Sequence, residues 1–452
     1  MRFVDLFAGL GGFHYALRSL GHECVFASEL DDELRDLYQK NFPKSAEVVY
    51  GDICAHKDDV PAHEILCAGF PCQPFSKSGR QHGILDTRGT LFHEIIRILE
   101  RRRPSFVILE NVGNFERHDQ GATWRTVRES LIKLGYNVRG TEHVRSGGHG
   151  LISPHHFGHP HTRERFFAVG SLQPLPQDPF PRPHANVPTT LTSIVQSKAE
   201  LSSEDLRETA LTERQTDCID LWNWFLSLIP EEFPLPSFPI WGDEIDAAYP
   251  YDPLTPYSTP LSQLRLCMNG KGSLDSASRE ELLRSLPSYA REEKDSFPNW
   301  KIRFIRDNRE FFASVRKYLP KRWISDLKSF PPSLRKLEWN SQGEVRDLWK
   351  HVLQFRPSGL RVKRYTTVPA LVAMTTTQIP ILGPKGRFIT RTEGLRLQGF
   401  PDRHLLPKSR ASAFAALGNA VHVDVVKRIA KQLLIRDPAV FVLSRQIPPL
   451  DA

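Results

Sequence analysis

Three stretches of this chain carry side chains suited to nucleophilic and acid–base chemistry. Gly69-Phe70-Pro71-Cys72-Gln73-Pro74-Phe75-Ser76 sets a thiol between two prolines. The prolines keep that loop stiff and non-helical. A lone cysteine is usually a small buried hydrophobe, but one in a rigid loop at a sheet edge is a better nucleophile candidate, provided its thiolate is activated. Glu110-Asn111-Val112 ends the apolar run Phe106–Leu109, which puts a carboxylate at the end of a buried strand. His161-Thr162-Arg163-Glu164-Arg165 precedes the apolar run Phe166–Val169. In extended chain Arg163 and Arg165 fall on one face, where two guanidinium groups suit an anionic ligand or the Glu110 carboxylate.

A binding site is legible beside them. Phe7-Ala8-Gly9-Leu10-Gly11-Gly12 follows the first apolar run, and a glycine turn between strand and helix lets a ligand approach backbone amides. It is not a dinucleotide fingerprint, because His14 stands where the third glycine would be, and no phosphate-cradling lysine follows. Nicotinamide and nucleoside-triphosphate chemistry are therefore weak readings. Glu29 ends the second apolar run, where a carboxylate can bind ribose hydroxyls, and Asp52 follows Gly51 at the next, placed for an adenine amine. Together they describe an adenosine pocket.

The elements that must hold these residues alternate. Phe3–Phe7 reads as a strand, followed by a helical stretch to Leu20. Cys24–Ser28 is a strand and Asp31–Asn41 a helix, capped by Asp31 or Asp32 and stopped by Pro43. Glu64–Ala68, Phe106–Leu109 and Phe166–Val169 read as strands, and Thr90–Arg103 and Trp124–Leu134 as helices. This alternation predicts an α/β fold with a parallel, doubly wound sheet and ligands at the carboxyl ends of its strands. Six prolines between Ser171 and Thr190 mark a linker, Phe233–Pro260 is again irregular, and Val421–Leu434 is an amphipathic closing helix.

Length and charge agree with that organisation. A chain of 452 residues with 25% charged residues is ordinary globular protein of about two or three domains. The formal net charge of +8 is unevenly spread: Lys301 to Arg364 holds 17 Lys/Arg against 6 Asp/Glu, so the remainder is slightly acidic. That segment also carries Trp300, Phe304, Tyr318, Trp323, Trp339 and Trp349. Basic residues mixed with aromatics fit a nucleic-acid face, or else a solvated surface over an aromatic core. Six cysteines with no Cys-x-x-Cys pair predict neither a disulfide scaffold nor a zinc knuckle, and the histidines at 155, 156, 159 and 161 lack partners at metal spacing, so no metal is expected. Asp5 within the first apolar run argues against a signal peptide. Residues 365–384 are uncharged but hold three prolines and five threonines, which reads as strand and loop rather than a membrane span.

The ordered motifs resemble the C5-cytosine DNA methyltransferases, of the bacterial restriction-modification type. The family pattern has an opening glycine turn, a Pro-Cys-Gln loop, Glu-Asn-Val, Gln-x-Arg-x-Arg, a variable target-recognition region, Leu-Gln-Gly-Phe-Pro and a Gly-Asn-Ala-Val helix. The last two stand here as Leu397-Gln398-Gly399-Phe400-Pro401 and Gly418-Asn419-Ala420-Val421. The match covers residues 1–170 and about 364–435. His161 departs from it, standing where the family usually has Gln.

The resemblance implies a Rossmann-like S-adenosylmethionine-dependent methyltransferase sheet with a smaller inserted domain. Catalytic residues 1–172 would be followed by a target-recognition domain over 173–390 and a return to the catalytic domain over 391–452. Cys72 would attack C6 of a cytosine flipped from duplex DNA, making C5 enamine-like. Glu110 would contact N3 and the exocyclic amine, with Arg163 and Arg165 positioning Glu110, the base or a phosphate. S-adenosylmethionine would be held by Phe7, Gly9, Gly11, Glu29, Asp52, Pro71, Leu91 and Asn419. Ser76 opens a glycine- and charge-rich stretch to Arg88 that looks like a loop closing over the flipped base. Ser76, Arg303, Arg306, Arg309, Lys321 and Arg322 are the expected DNA contacts. The expected setting is a cytoplasmic monomer acting on double-stranded DNA beside a cognate restriction endonuclease or another defence system. Three rivals remain at this point: an RNA-cytosine methyltransferase on the same core, a non-catalytic DNA-binding protein on a decayed fold, and a Rossmann oxidoreductase.

Overall fold

The computed structural model describes residues 1–71, 91–142, 150–183, 187–268, 277–373 and 378–434. Cys72 and Ser76 lie outside them. The chain forms two compact units. The first comprises residues 1–208, 366–376 and 389 onward; the second comprises 209–365 and 377–388.

The first unit opens with β1 (Arg2–Leu6), α1 (Gly12–Arg18), β2 (Glu23–Ser28), α2 (Asp32–Asn41), β3 (Val49–Tyr50) and α3 (Ile53–His56). It continues with β4 (Ile65–Gly69), α4 (Leu91–Arg102), β5 (Phe106–Val112), α5 (Ala122–Lys133), β6 (Asn137–Gly140), β7 (His161–Thr162) and β8 (Arg165–Ser171). Seven strands make one sheet in the order β3-β2-β1-β4-β5-β8-β6. The first five in that order run parallel. The sheet is not parallel throughout, because β8 pairs antiparallel with both β5 and β6. That reversal carries the function of the edge. The carboxyl ends of β1, β2, β4 and β5 share one rim, and an antiparallel β8 brings its amino end, Arg165, to the same rim opposite Val112. β6 is a strand that the sequence reading did not anticipate; its four residues hold only one buried apolar side chain, Val138.

Both faces of the sheet are covered, so its central strands are apolar on both sides. Phe3, Ile65, Cys67, Ile108, Phe167 and Val169 pack with α1 and the closing helix, while Val4, Leu66, Val107, Leu109, Phe166 and Ala168 pack with α4 and α5. The alternation along each strand is the two-residue period of β structure.

Residues 173–208 belong to the first unit, so the structural boundary lies 36 residues later than the expected one at 172. The proline-rich linker packs instead of spanning free: Phe180 is buried and Leu175 packs against the same core. α6 (Ser203–Thr209) closes this stretch. The second unit holds α7 (Glu213–Leu228), β9 (Ile240–Trp241), α8 (Leu261–Met268), α9 (Arg279–Ser285), α10 (Asn299–Val315), α11 (Lys321–Ser329), β10 (Lys336–Asn340), β11 (Val352–Arg356) and β12 (Gly359–Lys363). β13 (Val368–Pro369) pairs with β7 in the first unit, and β14 (Ile381–Leu382) and β15 (Arg387–Phe388) complete the second unit's mixed sheet, ordered β15-β14-β11-β12-β10-β9. α12 (Arg391–Gln398), α13 (Arg410–Asn419) and α14 (Val423–Leu433) return to the first unit. α14 is the expected closing helix, and Val425, Val426, Ile429 and Leu433 face the sheet.

The glycine turn shows why its residue types are required. Gly11 has φ +76°, and a Cβ there would lie 2.4 Å from the Phe42 ring. Gly9 has φ +52°, and a Cβ there would meet nothing within 4 Å. Gly11→Ala should therefore lose about 2–4 kcal/mol of stability through strain and overpacking. Gly9→Ala should lose only about 1 kcal/mol, the cost of the left-handed backbone alone. Urea denaturation of the two variants measures the difference.

Candidate active site

The rim of the first unit gathers predicted residues from the ends of β1, β2, β3, β4, β5 and β8. At β1 the chain turns through left-handed backbone at Phe7 (φ 57°), Gly9 and Gly11. The turn is tied to β2: the Ala8 amide donates to Ser28 O at 2.9 Å, and the Gly9 amide donates to Glu29 Oε2 at 2.7 Å. Glu29 Oε1 accepts from the Asp31 amide at 2.9 Å. The carboxylate that resembles a ribose ligand thus also fixes the turn's shape. Asp52 caps α3 by accepting from the Cys54 amide. Leu91 is half-buried at the start of α4.

His14, which spoils the dinucleotide fingerprint, has a packing role. It is buried, stacks on Phe42 at 3.7 Å, and its Nδ1 lies 2.8 Å from Tyr38 Oη. Burial holds its pKa down at about 3, so it is neutral.

The second group of side chains lies at β4, β5 and β8. Gly69 is in register with Glu110. The Asn111 amide donates to Phe70 O at 3.0 Å, and this anchors the chain just before Pro71, which is exposed. Glu110 is buried, and Arg165 Nε meets its Oε1 at 3.0 Å. Burial raises the Glu110 carboxyl's pKa, and the Arg165 and Arg163 charges oppose that rise.

The two arginines do not share one target. Arg163 is buried and donates through Nη1 to Gly418 O and through Nη2 to Ala420 O, both at 2.8 Å. It therefore clamps the Gly418-Asn419-Ala420-Val421 segment, while Arg165 alone pairs with Glu110. The clamp sets Val421 against the glycine turn, since a Cβ on Gly12 would lie 2.5 Å from Val421 Cγ2. Asn419 is exposed at the end of α13, beside that contact. His161 is wholly buried and its Nδ1 donates to Leu397 O at 3.1 Å, so it ties its own motif to the Leu397–Pro401 motif.

Three residues of this rim escaped the sequence reading. Leu30 is 71% exposed beside Glu29, an apolar side chain left in solvent next to that carboxylate. Asn111 was read only as part of its motif, and its buried amide is what holds the Phe70–Pro71 turn. His422, buried directly after the Gly-Asn-Ala-Val segment, had no sequence signal beyond its position.

The C-5 cytosine-specific DNA methylase family model matches residues 1–228 and 286–434. The chain belongs to that family. It is 35% identical over 518 aligned residues to the type II methyltransferase M.AluI of Cellulosimicrobium cellulans, covering 98% of this chain and 93% of the relative. It is 43% identical over 170 residues to the type II methyltransferase M.HhaI of Haemophilus parahaemolyticus, covering 37% of this chain and 48% of that one. The activity is that of a DNA (cytosine-5-)-methyltransferase, with S-adenosylmethionine as methyl donor. The rim suits that donor. The space over Gly9 is open, the Glu29 carboxylate stands at the strand end, and Leu30 offers an exposed apolar surface beside it.

The second unit divides the expected DNA contacts. Arg303, Arg306, Lys321 and Arg322 are exposed on α10 and α11. Arg309 is not available in the same way: its Nε donates to the buried Glu244 at 2.9 Å, and its guanidinium lies over the Tyr249 and Tyr251 rings. Lys301 is likewise buried, donating to Glu292 and Tyr289 O. Trp323 and Trp339 are core residues, whereas Trp300 remains 54% exposed.

The division between the arginines is measurable. Arg163→Ala leaves the Gly418 and Ala420 carbonyls without their donor and should cost about 2–5 kcal/mol in chemical denaturation. Arg165→Ala should cost less stability but lower kcat more than its stability loss explains, because Glu110 loses its counter-charge.

Proposed function

We propose that this methyltransferase acts sequence-specifically on duplex DNA, with Cys72 as its nucleophile and Glu110 and Arg165 as the groups that engage the flipped cytosine. The observation that carries the reading is the Glu110–Arg165 pair at 3.0 Å, beside the Gly69–Pro71 turn that leads directly into Cys72. Cytosine C5 is a poor nucleophile. Bond formation between the Cys72 sulfur and C6 breaks the ring's aromaticity and pushes electron density to C5. Negative charge builds along N3 and the exocyclic amine as the adduct forms, and Glu110 lies at the rim with Arg165 to tune its protonation. S-adenosylmethionine supplies the electrophilic methyl group that C5 takes. Loss of the C5 proton and departure of the Cys72 sulfur then restore the ring. Arg163 supports this site through the segment that bears Asn419, and Phe7, Gly9, Gly11, Glu29, Asp52, Pro71, Leu91 and Asn419 line the donor's pocket. Leu30 joins them as an apolar contact for the adenine.

Residues 209–365 carry target recognition. Arg303, Arg306, Lys321 and Arg322 are their candidate phosphate contacts, and Ser76 belongs to the segment that follows Cys72. The setting is a cytoplasmic restriction-modification pair, the methyltransferase protecting the sequence that a cognate endonuclease cuts, and the enzyme works as a monomer. Among the described residues no helix is long and apolar enough to cross a membrane. Extrusion of the base costs a few kcal/mol, which the recognition contacts must offset.

Cys72→Ser should abolish methyl transfer to duplex DNA while S-adenosylmethionine binding by calorimetry stays near wild type; a fully active variant would overturn the mechanism. Transfer onto tRNA in preference to duplex DNA would instead favour an RNA substrate. Bisulfite sequencing of DNA from expressing cells reads the target sequence. Replacing Arg303, Arg306, Lys321 and Arg322 together with Gln should weaken DNA binding and flatten its log–log salt dependence by roughly 0.9 for each phosphate that is no longer neutralised. An unchanged salt slope would move the DNA face elsewhere.

A further inference from the structure

One cation stands at the rim that the donor pocket, as described, leaves without a role. Arg35 is the fourth residue of α2 and directly follows the helix's acidic first turn, Asp32 and Glu33. The amino end of a helix favours acidic side chains such as those two and disfavours a cation. The helix itself therefore gives no reason for an arginine at this position. Its side chain runs back toward the helix amino end, as helical side chains do, and reaches the carboxyl end of β2. Nη1 donates to Glu29 O at 3.1 Å and lies 3.5 Å from Leu30 O, while Nη2 meets Asp32 Oδ1 at 2.5 Å.

The same guanidinium borders the end of β3. A Cβ on Gly51 would lie 3.5 Å from Arg35 Nη1, so the guanidinium packs on the backbone directly before Asp52. The two strand ends are also tied by the Glu29 amide, which donates to Tyr50 O at 3.0 Å. Glu29, Leu30 and Asp52 are the residues read above as holding the adenosine end of the donor. Leu30, at 71% exposure, takes its direction from its backbone rather than from packing. One side chain thus fixes the main chain from which all three project.

We propose that Arg35 is a positioning residue for S-adenosylmethionine. It holds the Glu29 and Leu30 carbonyls and the Gly51 backbone in one arrangement. The Glu29 carboxylate, the Leu30 side chain and Asp52 are then presented together to the adenosine moiety. Preorganisation of this kind lowers the ordering cost of binding. Arg35 acts far from Glu110, because β2 and β5 are three strand spacings apart, about 14 Å. Its effect falls on donor binding and not on the methyl-transfer step. The inference rests on the donor pocket proposed above.

Calorimetry on the full chain, with S-adenosylmethionine and with S-adenosylhomocysteine, tests this. Arg35→Ala should raise Kd for both by about five- to tenfold, the size of one charged hydrogen bond at a partly exposed site. The two ligands share the adenosine end, so the factor should be the same for each. KM for S-adenosylmethionine should rise alike, with kcat at saturating donor and KM for DNA near wild type. Tm should stay close to native, since alanine is the better helix former. Arg35→Lys, which retains one donor for Glu29 O, should recover Kd to within about twofold of wild type. Leu30→Ala should weaken donor binding in the wild-type chain but hardly further in Arg35→Ala, where Leu30 is already misplaced. A merely structural arginine would show no such coupling.

An unchanged Kd in Arg35→Ala, a lysine variant no better than the alanine one, or additive effects in the double variant would overturn the role of Arg35. If Leu30→Ala and Asp52→Asn weaken donor binding alongside any of those results, the pocket stands and the inference alone is removed. If both bind the donor as wild type does, the pocket lies elsewhere and the two readings fall together.

Discussion

The catalytic unit depends on one buried cation. Arg163 gives its two terminal nitrogens to the carbonyls of Gly418 and Ala420. Taking a guanidinium out of water is costly, and it is tolerated only where hydrogen bonds and nearby opposite charge replace the lost hydration. The two carbonyls supply the hydrogen bonds, and the Glu110 carboxylate supplies charge. The result joins residues more than 250 positions apart in the chain. Without that clamp the Gly-Asn-Ala-Val segment would have no fixed relation to the glycine turn, and Val421 could not close against Gly12.

The same economy recurs around the rim. Three residues of the rim are held by backbone groups of other elements. Glu29 accepts from the Gly9 amide, Asn111 donates to Phe70 O, and His161 donates to Leu397 O. Backbone groups are fixed in number and position once the strands pair, so they make stiffer anchors than surface side chains. Stiffness of this kind is what a site needs if its groups are to act without reorganising. The antiparallel direction of β8 is a further condition, because a parallel β8 would carry Arg165 to the opposite edge from Glu110.

The second unit shows how charge counts blur two roles. The stretch from Lys301 to Arg364 has a large basic excess, yet several of its cations serve the interior. Arg309 neutralises Glu244, a carboxylate that also accepts from the Tyr249 and Tyr289 hydroxyls. Arg335 pairs with Asp243, and Arg361 with Glu338. The aromatics divide in the same way. Trp222, Phe225 and Trp323 pack together as core, and Trp323 satisfies its indole N–H on Leu221 O. What is left for a polyanion is a smaller exposed set that includes Arg303, Arg306, Lys321 and Arg322 on α10 and α11.

Local sequence determined the apolar core strands, the glycine turn and the order of the motifs, because these follow from periodicity, backbone freedom and neighbouring residues. The family was legible for the same reason: short motifs in fixed order are a local property. Only the tertiary structure decided which partner each charged side chain found. Arg163 and Arg165 are two residues apart and equivalent by type, yet one holds backbone carbonyls and the other a carboxylate, as strand direction and the return of the chain at Gly418 dictate. Arg303 and Arg309 are equally basic on one helix, but 3.6 residues per turn aims one at solvent and the other at Glu244. Burial and pairing are properties of the folded neighbourhood, and no window of sequence contains that neighbourhood.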